Sequence, residues 1–181
     1  LMVIPDKTCT LREFDTYIYN NPKALVELIN GRMIEKVTGT EHGRAVANIL
    51  YELVAWYKQN GIDGHYGTEV HHTIDDETDT MLQPDVSFSY RITQRPGGTV
   101  QGLPDFVVEV KSPGNSYDDL REKARLYIAN GTKLVWLVYP TRQIVETYAA
   151  DGTNDLFTSD MSVSGGDVLP EFSMDVRDIF A

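Results

Sequence analysis

Apolar positions recur along this chain in two rhythms, one of three to four residues and one of two. Ala45, Ile49, Leu53 and Trp56 recur at helical spacing, with Val46, Leu50 and Tyr57 beside them, the pattern of a helix that buries one face. A helix is predicted over about 41–59, opened by Gly39-Thr40 and ended by Asn60-Gly61 as a left-handed cap. Thr10-Leu11-Arg12-Glu13 reads as a capping box, in which Thr10 caps and Glu13 reaches back. A short helix should follow to about Asn20, because Pro22 stops its continuation. Ser116-Tyr117-Asp118-Asp119 starts a further helix, with acids in the first turn where the helix dipole favours them. It runs to about Asn130 and is capped by Gly131.

The two-residue rhythm marks strands. Residues 24–29 alternate into Asn30-Gly31, and 32–37 follow, a type I′ hairpin signal. Strands are expected over 64–74, 81–90 and 105–111, with the acidic stretch 75–79 as the exposed turn between the first two rather than a calcium loop. Leu134–Tyr139 is continuously apolar, as a buried strand is. Residues 144–149 alternate again, and a strand-rich tail runs from the Asp151-Gly152 turn to near Phe180. The loop 91–103, with Gly97-Gly98, reads as a plain connection, and a mobile flap is its alternative. No repeat or linker divides the chain, so 1–181 is expected to form one domain. Its middle reads helix, strand, strand, strand, helix, strand around one sheet, a mixed α/β layout with a hairpin before it and strands after it.

Composition narrows the function classes. Hydrophobic residues make up 41% and charged residues 24%, ordinary globular values. A single cysteine, Cys9, cannot form an internal disulfide and is read as passive. Leu1-Met2-Val3-Ile4-Pro5 is not a signal-peptide pattern. No apolar run approaches the roughly 20 residues that span a bilayer, so no membrane association and a cytoplasmic location are expected. The net charge of −11, from 16 basic against 27 acidic residues, excludes a generally basic surface for polyanions. Any nucleic-acid contact has to use a local patch, whereas carboxylates suit the collection of divalent cations.

Side chains alternate across a strand, so Glu109 and Lys111 share one face, and Asp85, Ser87 and Ser89 share one face of the strand before. If those strands are neighbours, Asp85 and Glu109 converge. Two carboxylates there suit a hard ion such as Mg²⁺ or Mn²⁺, with the Val110 carbonyl as a third oxygen. An ammonium beside them would orient water or stabilise charge on a phosphate oxygen. The plainer alternative is two surface acids, since Asp after Pro is common in turns. Against it, Glu109 lies within the apolar run Phe106–Val110, and burying a lone carboxylate is costly.

Several segments together carry a resemblance. They are 28–32 (Leu-Ile-Asn-Gly-Arg), His42-Gly43, Gln83-Pro84-Asp85-Val86-Ser87, Val107-Val108-Glu109-Val110 with Ser112-Pro113, 119–127, 135–138 and the ending Val168-Leu169-Pro170-Glu171-Phe172. In this order, over nearly the whole chain, they resemble the Uma-two family, whose members are described as restriction endonucleases of the PD-(D/E)XK superfamily. The resemblance implies that superfamily's core and a divalent-metal-dependent endonuclease acting on nucleic acid, DNA above all, as a homodimer. Asp85 and Glu109 match its metal-binding carboxylates. Lys123 matches the family's helical lysine, while Lys111 stands at the superfamily's standard position, and the choice between them stays open here. His42 matches the family's His-Gly pair and would line the site or cap its helix. Glu27 is a candidate third acid. Arg121, with Lys123 and Arg125, forms a basic patch that would touch phosphate or simply be solvated. The rival is a catalytically inactive nuclease-fold module that binds or regulates, in defence or mobile-element biology, which the acidic charge favours.

Overall fold

Helix starts in this chain are set by local side-chain chemistry, and the computed structural model, which describes residues 2–3 and 8–181, shows it twice over. The Thr10 hydroxyl accepts from the Glu13 N–H while the Glu13 carboxylate takes the Thr10 N–H, and Ser116 and Asp119 repeat the exchange. Most of the N-terminal stretch 1–5 lies outside the described residues. In chain order the elements are β1 (Met2–Val3), α1 (Leu11–Asn20), β2 (Val26–Ile29), β3 (Arg32–Glu35), α2 (Thr40–Gln59), β4 (His65–Gly67), β5 (His72–Thr73), β6 (Met81–Leu82), β7 (Val86–Ser89), β8 (Thr93–Gln94), β9 (Val100–Gln101), β10 (Phe106–Val110), α3 (Tyr117–Ala129), β11 (Leu134–Tyr139), β12 (Ile144–Ala149), β13 (Asn154–Phe157), β14 (Ser162–Ser164), β15 (Ser173–Asp175) and α4 (Val176–Ile179). Among the described residues no helix is long and apolar enough to cross a membrane.

The central sheet has the order β13-β12-β11-β10-β7-β4. Only β10 and β11 run parallel in it, joined by the α3 crossover, and the other pairs are antiparallel. The expected helix-β-β-β-helix-β core is therefore present as α2-β4-β7-β10-α3-β11. Alternation on β10 divides the two layers. Phe106, Val108 and Val110 pack with Ala45, Ile49, Leu53 and Trp56 of α2. Val107, on the opposite face, packs with Leu120, Ala124 and Tyr127 of α3. Glu109 shares the Val107 face and so points toward α3.

A second sheet, β1-β3-β2-β6-β5-β9-β8, stands beside it. It encloses a smaller core of Leu11, Phe14, Val26, Leu28 and Met81. Its β2–β3 turn is the expected one, with Asn30 at φ 49° and Gly31 at φ 75°.

Three sequence expectations are corrected. The strand expected over 81–90 is two strands in two sheets, parted at Gln83-Pro84-Asp85, because proline has no N–H for a ladder. The strand expected over 64–74 divides in the same way into β4 and β5, with Glu69 between them at φ 55°. The loop 91–103 holds the β8–β9 hairpin, whose β9 pairs with β5, so it is an integral part of the second sheet. The acidic stretch 75–79 is a turn built on its own backbone. Asp75 accepts from the Glu77 and Thr78 N–H groups, and Asp79 accepts from the Leu11 N–H at the start of α1.

The cap on α3 orients the helix over β10 and yields a prediction. Ser116→Ala should cost about 1 kcal/mol, a fall in Tm of roughly 2–4 °C for a domain of this size, and Ser116→Thr should restore most of it in a thermal melt.

Candidate active site

The site begins where the β7–β10 ladder ends. The Pro84 carbonyl accepts from the Glu69 N–H at 3.1 Å, and the Val110 N–H on β10 is accepted by Asp85 Oδ2 at 2.7 Å. This holds the Asp85 carboxylate, 1% exposed, against the strand that carries Glu109. His42 Nε2 lies 3.1 Å from the same oxygen. The other oxygen, Oδ1, accepts from Lys36 Nζ at 2.7 Å. Lys36 stands just beyond β3, and its ammonium also donates to Glu69 Oε2 at 2.8 Å and to the Gln83 carbonyl at 2.7 Å. All three of its donors are thus used.

Glu109 is held from the other side, by α3. Its Oε1 accepts from Lys123 Nζ and from the Tyr127 hydroxyl, each at 2.8 Å. Lys123 and Tyr127 are four residues apart and so share one helical face. Lys123 also reaches Glu27 Oε1 on β2 at 2.7 Å, and that oxygen takes the Gln83 N–H at 2.6 Å. Gln83 therefore serves both halves of the site, through its carbonyl on Lys36 and its N–H on Glu27.

When all four are ionised, the carboxylates of Glu27, Glu69, Asp85 and Glu109 exceed the ammonium groups of Lys36 and Lys123 by two negative charges. The titration of the two central acids reflects this. Burial works against the charged Asp85, but Lys36 and His42 outweigh it and hold this carboxyl well below the usual carboxylate range. Burial pushes Glu109 up to about 7; Lys123 opposes the rise, and the nearby acids Asp85 and Glu27 add to it. Burial also raises Glu69 despite its Lys36 partner. Burial alone would lower Lys123, but Glu109 and Glu27 more than compensate, so it stays charged.

These groups line a cleft of about 670 Å³, open to solvent, with Glu27, Lys36, His42, Asp85, Glu109 and Lys123 on its walls. Among the described residues no three His, Cys, Asp or Glu side chains lie close enough together to hold a metal ion by themselves. An ion here would be held by Asp85, Glu109 and the Val110 carbonyl, which shares the direction of its own N–H toward Asp85. That all-oxygen set, with two negative charges to spare, fits a hard divalent cation.

The structure brings together most of the residues singled out from the sequence. Asp85, Glu109, Lys123, Glu27 and the Val110 backbone all meet at the cleft. His42 lines it too and is not the cap of α2, whose N-cap is Gly39. Lys111 does not join them: its ammonium donates to the Ser112 carbonyl at 3.2 Å and lies over the Tyr117 ring. Beyond β10 the chain turns, and strand alternation no longer aims that side chain. Arg121 also points elsewhere, with Nε 3.1 Å from Glu146 Oε2 on β12. His71 and His72 face different carbonyls, of Val26 and Gly102, and form no joint site. Lys36 and Glu69 escape sequence reasoning. The one available signal for Lys36 is its phase, since it follows Ile34 by two residues on the same side of the strand.

The ion pairs give a stability prediction. Lys36→Ala leaves Asp85 charged and buried without its main partner, and should cost about 3–5 kcal/mol. Adding Asp85→Asn in the same chain should recover part of that loss, which a double-mutant cycle in urea measures directly; additive losses would contradict the pairing.

Comparison with known proteins places the fold and the family. The Uma2 family, described as "Putative restriction endonuclease", matches residues 11–177. No curated protein matches the chain. Among solved structures it is similar to one described as a "putative nuclease belonging to DUF820" from Anabaena variabilis ATCC 29413. The two superpose with a TM-score of 0.79 at 23% identity, over 94% of this chain and 97% of that one. At that identity the likeness speaks for the fold, a mixed α/β arrangement of the restriction-endonuclease-like kind. With a family match from the first helix to the last, this chain is a member of the Uma2 family.

Proposed function

We propose that this protein is a divalent-metal-dependent nuclease that hydrolyses phosphodiester bonds in nucleic acid, with DNA as its substrate and Mg²⁺ or Mn²⁺ as its ion. The observation that carries the reading is the pair Asp85 and Glu109, buried at the ends of adjacent strands, two charges short of neutrality, with a charged lysine on the open cleft beside them. The family's description and that of the similar structure support it.

In this mechanism Asp85, Glu109 and the Val110 carbonyl would hold the ion, which would supply positive charge for a phosphate oxygen and for activating water at neutral pH. Asp85 is kept ionised and in place by Lys36, His42 and the Val110 N–H. Glu109 is aimed by Lys123 and the Tyr127 hydroxyl. Lys123, at the cleft wall, stabilises the charge that grows on the phosphate oxygens as the bond to the leaving group lengthens. Glu27 keeps the Lys123 ammonium charged and directed. Attack by water is direct in this reading, with no covalent intermediate. The net charge of −11 favours a second reading, an inactive binding module; divalent-dependent cleavage separates the two.

Alanine at Asp85 or at Glu109 should abolish Mg²⁺-dependent cleavage of DNA while far-UV circular dichroism still reports a folded chain. Wild-type rates in both variants would remove the site from the reaction. Lys123→Met should lower kcat by about 10²–10³, whereas Lys111→Met should leave kcat nearly unchanged in the same assay.

Glu109 also sets a pH dependence. Its carboxyl titrates near 7 in the fold, so below that value it is neutral and a poor ligand. The Mn²⁺-induced rise in Tm should therefore be small below pH 7 and full above it. Without metal the sign reverses: a carboxyl raised by burial costs stability as pH climbs from its unfolded value toward 7. A metal-induced rise in Tm that is flat across this range would contradict Glu109 as a ligand.

A further inference from the structure

Beside the cleft lies a second cavity, of about 380 Å³, and His42 and Ser112 line both. Lys111 and Tyr117 stand on its wall. Two cations converge on that tyrosine. Lys111 Nζ is 5.1 Å from the Tyr117 ring centroid, and the Arg142 guanidinium is 4.2 Å from it. Among the described residues neither has a carboxylate within ion-pair distance, whereas the lysines of the cleft each bridge two.

The ring is what holds them there. Its π system attracts both charges. Tyr139 packs against Tyr117 at 5.0 Å between centroids, and its own hydroxyl is tied to Glu146 at 2.8 Å, so the platform is fixed. Lys111 uses one donor, on the Ser112 carbonyl, and keeps two. Arg142 is exposed, at the tight turn that follows β11, where Gln143 takes φ 52°. The pair thus presents an ammonium point charge and a guanidinium fork to one anion, a combination suited to a phosphate group. Glu41, exposed, is the one acid on the cavity wall.

We infer that this cavity is a phosphodiester-binding subsite, in which Lys111 and Arg142 hold a backbone phosphate of the nucleic-acid strand next to the bond that is cut. The inference rests on the nuclease reading of the cleft and gives Lys111 a role in binding rather than in the chemical step. It also accounts for how an acidic protein brings a polyanion to an anionic site: the attraction is local, and it lies one residue, His42, away from the carboxylates.

The test is binding of a fluorescein-labelled DNA oligonucleotide, followed by anisotropy over a range of KCl concentrations with Ca²⁺ present, for the wild type and for Lys111→Gln/Arg142→Gln. Each phosphate contact contributes about 0.9 to the slope of log affinity against log salt. The double variant should therefore lose about 1 from that slope and bind about tenfold or more weakly at moderate salt, with Tm and the Mn²⁺-induced rise in Tm unchanged. Lys111→Arg/Arg142→Lys should keep the wild-type slope. An unchanged slope and affinity in a wild type that binds would overturn the subsite, and so would a lowered Tm with an unchanged slope, which marks the cations as structural. A wild type that binds no oligonucleotide under any of these conditions would defeat the nuclease reading itself, and the subsite with it.

Discussion

A carboxylate keeps its charge inside a protein only if something nearby answers it, and this structure is arranged around that requirement. Asp85 and Glu109 sit at the ends of paired strands in the central sheet, almost fully buried. Neither lysine that serves them comes from that sheet. Lys36 arrives from the hairpin of the second sheet, and Lys123 from the helix that crosses between β10 and β11. Each ammonium also bridges to an acid outside the central pair, Glu69 or Glu27. The hairpin, the central sheet and α3 are therefore locked together at the point where the chemistry is placed, and the way the two sheets meet is a consequence of the same charges.

The two central acids are not equivalent. Asp85 has three donors, from Lys36, His42 and the Val110 backbone, and stays ionised through the working pH range. Glu109 shares its lysine with Glu27 and is left close to neutrality. A site in which one ligand is permanently charged and the other gains its charge near neutral pH is poised to accept a cation rather than already satisfied. Once Glu109 is ionised, the excess of two negative charges matches one divalent ion. Under the proposed function, burial here serves reactivity at some expense of stability, since two oxygens of such a cluster would be better answered by further side chains if folding alone mattered.

Much of this was legible in the sequence where the governing interaction is local. The Thr10 capping box, the helix start at Ser116, the Asn30-Gly31 turn, the helical face of α2 and the buried run of β11 rest on neighbours no more than four positions apart, and they stand as expected. The convergence of Asp85 and Glu109 followed from strand alternation together with one assumption of adjacency. Where the deciding contact is distant, sequence reasoning fell short. Lys36 lies 49 positions from its partner Asp85 and looks like one more residue of an alternating strand. The same distance hides Glu69. Lys111 shows the converse: alternation placed it beside Glu109, but the strand ends at Val110 and the backbone turns. Pro84 carried a readable sign of the break between the two sheets, because a strand interior does not tolerate it; the Val110 N–H beside the break is what holds Asp85 against β10.

The central claim is that Asp85 and Glu109 together hold one divalent cation. The most direct measurement is a calorimetric titration of Mn²⁺ into the wild-type protein and into Asp85→Asn, in two buffers of different ionisation enthalpy near neutral pH. The account predicts saturable binding of a single ion per wild-type chain, accompanied by proton release from Glu109, and no saturable binding in the variant. The same isotherm in both proteins, or binding with no proton released, would contradict it.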